Sequence, residues 1–219
     1  MRLILVRHGQ TDWNAGQRFQ GHSDVPLNEV GRRQAAALAA RLSGRGIDAA
    51  YTSDLQRARE TAEIICRSGG GVFAEGASDV RSDVRLREMN FGDWEGLTYH
   101  EIRERHLQSL AAWEKDVYKH APPNGETLEQ MTFRIRAVLN DLLAKYNGKT
   151  LLLVAHGGVL QILICLTLNV SPAMYWQFRV SPASLSEIAI HPAGASLNFL
   201  NDTNHLPGDP PQGCLGGGT

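Results

Sequence analysis

The chain has 219 residues, 42% of them hydrophobic and 21% charged, enough for one domain with a full core and a polar surface. Its 22 Lys and Arg oppose 23 Asp and Glu, a net charge of −1, and so even a balance argues against nucleic acid or an anionic membrane as partner. Any recognition of anions must then be local. The three widely spaced cysteines Cys66, Cys165 and Cys214 fit neither a disulfide framework nor a zinc cluster, and point to reduced thiols in a cytoplasm. The apolar run within Met1 to Arg7 is too short for a signal peptide. Leu151 to Val170 has the length of a membrane span but contains His156, Gly157, Gly158 and Gln161. A strand, a glycine turn and a buried helix suit it better than a lipid-facing helix.

In chain order, Leu3 to Val6 is a wholly apolar run of the kind buried on both faces of a sheet, and it ends at Arg7-His8-Gly9. A helix is predicted from Asn28 to about Leu42, closed by Gly44 and Gly46. Ala49 to Thr52 reads as a second strand, after which Ser53 or Asp54 can cap a helix carrying Arg57, Arg59, Ile64 and Ile65. Arg67 to Ser82, rich in Gly and Ser, is expected to be a surface loop region. Thr98 with Glu101 and Thr127 with Gln130 have capping-box spacing, so helices should start at both. The second should run through Phe133, Ile135, Val138 and Leu142 to a stop at Asn147-Gly148. Thr150 to Val154 is another buried strand, followed by a glycine-led helix to about Leu168. Leu185 to His191 and Ser196 to Leu200 read as late, peripheral strands. Alternation of strands and helices predicts an α/β fold, a mostly parallel central sheet with helices on both faces. It is expected to form one domain over residues 1–206, with a Pro- and Gly-rich tail at 207–219.

Ligands of open α/β sheets bind beyond the carboxyl ends of strands. Three polar groups fall at such ends: Arg7-His8-Gly9, Ser53 to Arg57, and His156-Gly157-Gly158. Two histidines and two arginines offered to one face suit a phosphate. Guanidinium groups match its oxygens, glycine admits close backbone amides, and a neutral imidazole can attack phosphorus. A lone histidine at a strand end is ordinarily a hydrogen-bonded structural residue. The pairing of His8 and His156 with Arg7 and Arg57 reverses that expectation.

Leu5-Val6-Arg7-His8-Gly9-Gln10-Thr11 followed by Asn14 resembles the signature of the histidine phosphatase superfamily, in the branch of phosphoglycerate mutases and small phosphatases. Four further stretches agree in order. They are Gln20 to Asp24 with Pro26, Leu27 and Gly31; Thr52 to Ala58 with Thr61; Leu86-Arg87-Glu88 with Phe91 to Gly96; and Val154 to Gly158. The resemblance implies His8 as nucleophile through Nε2. It implies Arg7, Arg57 and His156 as the charge-stabilising groups around the phosphate, and Glu88 as proton donor and later base for water. It also implies Asn14, Gln20, Gly21 and Gly157 as substrate-binding positions, no metal site and no cofactor. Glu95 and Glu126 are neighbouring carboxylates that could be confused with Glu88. His22, His100, His106, His120 and His205 have no metal-ligand spacing.

Between Gly96 and Gly125 the chain lacks the paired arginines and proline-rich stretch expected of a mutase. Pro122 to Thr127 and Leu200 to Leu206 look instead like the small phosphatases, with a lean towards the α-ribazole phosphatase group that acts late in cobalamin assembly. Phosphoserine phosphatase and phosphoglycerate mutase stay open as alternatives. From another class so does a non-catalytic phospholigand-binding module. Val180 to Ser184 departs from the Asn-containing turn of the family, and the tail from Pro207 matches nothing in it. The expected partner is a small phosphorylated substrate, with a homodimer as the assembly left open.

Overall fold

The computed structural model describes residues 1–68, 72–73 and 80–206. The expected tail and Cys214 lie outside the described residues. The strands are β1 (Arg2–Arg7), β2 (Ala49–Thr52), β3 (Val80–Ser82), β4 (Thr150–Ala155), β5 (Leu185–His191) and β6 (Gly194–Asp202). They form one sheet in the order β3-β2-β4-β1-β5-β6. The pairs β3–β2, β2–β4 and β4–β1 are parallel, whereas β5 runs antiparallel to both β1 and β6. The helices are α1 (Asp12–Ala15), α2 (Glu29–Leu42), α3 (Gln56–Ser68), α4 (Tyr99–Arg105), α5 (Leu107–Lys115), α6 (Leu128–Lys145) and α7 (Gly157–Thr167).

Because side chains alternate along a strand, the apolar runs of β1 and β4 serve two cores at once. Leu3, Leu5, Leu151 and Leu153 face α6 and α7, where Met131, Ile135, Val138, Val159, Leu160 and Leu163 are buried. Ile4, Val6, Leu152 and Val154 face the other way, onto Leu38, Leu42, Ala62 and Ile65 of α2 and α3. A third, smaller cluster joins Phe19 and Trp94 to Ile102 and Leu110, with Leu97 and Trp113 against it. The segment from Leu97 through α4 and α5 is therefore packed around a core of its own.

Both predicted capping boxes form: Glu101 and Thr98 exchange bonds of 2.7 and 3.2 Å, and Gln130 and Thr127 bonds of 2.8 and 3.1 Å. Three expectations need correction. β5 is not peripheral, since it pairs with β1 in the middle of the sheet and buries Leu185 and Ile188 fully; of the two late strands it is β6 that lies at an edge. The start of α3 is held less by its own flank than by a distant loop. Ser53 Oγ accepts the Leu55 amide at 3.3 Å, but the Gln56 amide donates to Asp24 at 2.6 Å, and Asp54 binds Arg87 instead. Finally, the stretch expected as loop from Arg67 holds the end of α3 and all of β3. Its other described residues are Val72, buried, and Phe73, which bridges to Ile47.

Candidate active site

The parallel pairing of β1 with β4 sets Arg7 opposite Ala155, so the residues that follow, His8 and His156, leave the sheet side by side. The His8 amide donates to the Ala155 carbonyl at 2.9 Å, and the His8 carbonyl accepts from Ala183 at 3.0 Å, which fixes the backbone on both sides. The two rings stand 5.2 Å apart at 61°. Both are buried.

His8 Nδ1 lies 2.7 Å from the Gly9 carbonyl oxygen. A carbonyl only accepts, so Nδ1 carries the hydrogen and Nε2 keeps its lone pair. His156 is held differently: neither of its ring nitrogens has a hydrogen-bond partner among the described residues, although both are buried. Buried polar atoms are ordinarily paired, and leaving one unpaired costs about 1–3 kcal/mol. A ring left with two such atoms is shaped for a group that arrives from outside. Burial holds both imidazoles well below the ordinary histidine range, and the charges of Arg57 and Arg7 push them further down. Both are neutral at neutral pH.

Arg57 has no exposed surface. Its Nη1 donates to the Ser23 carbonyl and its Nη2 to the Gly21 carbonyl, each at 2.8 Å, while Nε has no partner among the described residues. Burial lowers its pKa to about 10, which leaves it cationic, and Glu88 is the strongest of the charges that oppose the shift. The loop that grips it is itself held by Glu95, which accepts from the amides of His22 and Ser23 at 2.8 Å, from the Ser23 hydroxyl at 2.6 Å and from the Phe91 amide at 3.2 Å. Thr61 joins the two halves, accepting the Gly9 amide at 3.1 Å and donating to the Arg57 carbonyl at 2.7 Å. Arg7 Nη1 reaches the Val180 carbonyl at 2.7 Å.

Glu88 stands at the start of α7. One of its oxygens accepts the Gly158 amide at 3.1 Å, the other the Met89 amide at 2.9 Å. The two rival carboxylates are occupied elsewhere: Glu95 with the loop around Ser23, and Glu126 with Arg134 and the Asn90 amide. Asn14 Oδ1 accepts from both the amide and the hydroxyl of Thr11 at 3.1 Å, closing the short helix α1 beside His8. Gln20 Oε1 lies 3.0 Å from the same hydroxyl, whose single hydrogen it shares with Asn14. Gly21 reaches the cluster through its carbonyl on Arg57. Its φ of +50° and the 2.0 Å between a built Cβ and Glu95 Oε1 both favour glycine there. Gly157 is less constrained, with Arg7 Cζ 3.5 Å from a built Cβ. The supports Thr61, Glu95, Gly158 and Arg134 carried no assigned role in the sequence. Thr61, Glu95 and Gly158 stood inside the recognised stretches, whereas Arg134 had no signal beyond a basic residue in a helix. Among the described residues no three His, Cys, Asp or Glu side chains gather where a metal ion could be held.

Residues 3–203 match the histidine phosphatase superfamily (branch 1). The adenosylcobalamin/alpha-ribazole phosphatase of Salmonella typhimurium is 37% identical over 203 residues, 92% of this chain and 96% of that one. Among solved structures, the alpha-ribazole phosphatase of Shigella flexneri superposes with a TM-score of 0.82 at 31% identity, covering 92% of this chain and 96% of its own. Phosphoserine phosphatase from Entamoeba histolytica, in complex with 3-phosphoglyceric acid, gives 0.78 at 28% identity over 94% of this chain and 98% of its own. With the match spanning nearly its whole length and the two histidines and two arginines gathered at the strand ends, the chain belongs to branch 1 of the histidine phosphatase superfamily.

Proposed function

We propose that this phosphatase hydrolyses small phosphate monoesters through a phosphohistidine on Nε2 of His8. The observation that carries the reading is the tautomer set by the Gly9 carbonyl, which keeps the lone pair of His8 on Nε2. The ester's phosphate sits against Arg7, Arg57 and His156, with Asn14, Gln20, Gly21 and Gly157 completing its surroundings. Nε2 attacks phosphorus in line, the bond from phosphorus to the ester oxygen breaks, and that oxygen takes the proton of Glu88. Glu88, now a carboxylate, removes a proton from water. The water oxygen displaces the phosphoryl group from His8, releasing inorganic phosphate and restoring the neutral ring. Fixed cations at the developing charge serve where other phosphatases use a metal ion, so turnover should survive exhaustive chelation.

Among substrates we place α-ribazole phosphate first, supported by the names of the Salmonella and Shigella relatives. Phosphoserine stands second, on the name of the Entamoeba relative. The missing mutase segment argues for transfer to water rather than within a phosphoglycerate. The presence of both His8 and Glu88 argues against a module that only binds. A cytoplasmic setting is supported by Cys66 and Cys165, both free, with burial raising each thiol to about 11. No described helix is long and apolar enough to cross a membrane. The homodimer is to be checked by light scattering. The test of function is phosphate release from a panel of α-ribazole phosphate, phosphoserine, 3-phosphoglycerate and sugar phosphates, with and without EDTA, together with acid quenching of the enzyme. The expected result is metal-free hydrolysis and an acid-labile, base-stable phosphoenzyme, both lost in His8→Ala. Interconversion of phosphoglycerates with little free phosphate, or turnover that returns in His8→Ala, would overturn it.

A further inference from the structure

Residues 85–88, which carry Glu88 to the start of α7, lie outside any strand. Their regular structure is a single 3₁₀ turn at Val84–Leu86. A strand would be held by a ladder of hydrogen bonds. Here the carbonyls of Arg85, Arg87 and Glu88 turn to one side chain on a neighbouring helix. Arg134 of α6 donates through Nη1 to the Arg85 and Arg87 carbonyls, each at 2.6 Å, and through Nη2 to the Glu88 carbonyl at 3.0 Å. Its other donors go to Glu126, Nη2 to Oε1 at 2.5 Å and Nε to Oε2 at 3.1 Å. A guanidinium has five N–H groups in one plane, and these contacts use them all.

Glu126 completes the frame from its other side. Its Oε1 also accepts the Asn90 amide at 2.9 Å, and its own amide donates to the Asn90 carbonyl at 2.9 Å. His22 adds a second donor to the Glu88 carbonyl, Nε2 at 3.0 Å, so this oxygen is fixed from two directions. The Arg134 side chain is only 18% exposed and its Glu126 partner 16%. The carboxylate of Glu88, one residue's length from this frame, then meets the Gly158 amide on α7.

We infer that Arg134, seated by Glu126, is a positioning residue for the proton donor: it sets the backbone from which Glu88 reaches the leaving oxygen. The inference rests on Glu88 being that donor. Lysine cannot replace the guanidinium here, because a single ammonium cannot span three carbonyls and a carboxylate in one plane. Arg134 touches neither His8 nor Arg57 by hydrogen bond, so its loss should act on proton delivery rather than on phosphate binding.

The test compares kcat and KM for an alkyl phosphate and for p-nitrophenyl phosphate in the full chain and in Arg134→Lys, Glu126→Gln, Glu88→Gln and the double variant Glu88→Gln/Arg134→Lys. Since a general acid supplies about 10²–10⁴-fold and a phenolate needs little of it, Arg134→Lys should lower alkyl kcat/KM about 10-fold or more and aryl kcat/KM by less than about 3-fold; this ratio ends at phosphoryl transfer to His8, before Glu88 acts on the water common to both esters. Inhibition by inorganic phosphate, which reads phosphate binding alone, should stay level. Glu126→Gln should shift the ratio the same way and less. In the Glu88→Gln background, Arg134→Lys should change the alkyl-to-aryl ratio no further. Equal losses on both esters, or a further ratio change in that background, would overturn the positioning role while leaving Glu88 as donor. An alkyl-to-aryl ratio in Glu88→Gln equal to that of the unaltered enzyme would remove Glu88 as donor, and the inference with it. Should Arg134→Lys lose its thermal transition, Glu126→Gln carries the same comparison.

Discussion

Gly158 has room for a hydrogen and nothing larger: a Cβ built there stands 2.7 Å from Oε1 of Glu88 and 3.3 Å from Met131. The position lies in the first turn of α7, where alanine is the better helix former by about 1 kcal/mol. Stability and activity should therefore part company in Gly158→Ala. We expect an unfolding midpoint close to that of the unaltered chain, because the carboxylate at the far end of Glu88 can swing aside. Alkyl phosphate turnover should fall by about 10-fold or more, because the proposed proton donor has been moved. Unchanged alkyl turnover in a folded Gly158→Ala protein would mean that Glu88 does not need the place it occupies at the start of α7. The placement of His8, His156, Arg7 and Arg57 together was legible from sequence because each ends or follows a strand, whereas the roles proposed for them came from the resemblance. Arg134 was not legible. A basic residue in the middle of a helix ordinarily lies in water, and the carbonyls that make this one different belong to residues 85–88, distant in sequence.

At the scale of elements, the strongest readings were those with a local cause. The apolar runs of β1 and β4 and the capping boxes of α4 and α6 depend on neighbours in sequence, and all four formed. The end of the helix that starts at Thr98 was left undefined: His106 serves both α4 and α5 without any side-chain cap, so no residue type marks the break. The cap of α3 was misread for the opposite reason, since its acceptor, Asp24, comes from another loop. The approach of α2 to the loop after β1 follows the same rule of distant partners. Gly9 and Gly31 meet backbone to backbone, with 2.5 Å from a Cβ on Gly9 to the Gly31 carbonyl and 2.1 Å from a Cβ on Gly31 to the Gln10 carbonyl. In Gly31→Ala neither backbone can yield as a side chain could. We expect a loss of about 1–3 kcal/mol, typical of overpacking, read from urea unfolding. A stability equal to the parent chain would show that α2 can shift freely at this end.

For the whole molecule, the two buried neutral histidines make stability depend on pH. In the unfolded chain they take up protons as the pH falls through about 6.5, while in the folded chain both resist until well below it. The unfolded state then binds more protons, so stability is full above about pH 6.5 and declines on acidification, by up to about 1.4 kcal/mol per pH unit for each histidine. His22 and His205, lowered chiefly by partial burial, add in the same direction. Urea titrations between about pH 7 and about pH 5 should show this slope. The slope should be shallower in His156→Gln, and inorganic phosphate should oppose the decline because an anion favours the charged rings. Stability that held level or rose on acidification would contradict the burial of neutral rings. The segment from Leu97 to Lys115 should respond little, since it has its own core around Trp94. The register of β1 against β4 has a consequence for anyone refolding the protein. Arg7 opposite Ala155 brings His8 beside His156, and a slip of one residue would send one ring to the other face of the sheet. Turnover is thus a proofreading signal for assembly: each molecule that releases phosphate has aligned its central strands correctly, and specific activity counts that fraction where circular dichroism would count every collapsed sheet alike.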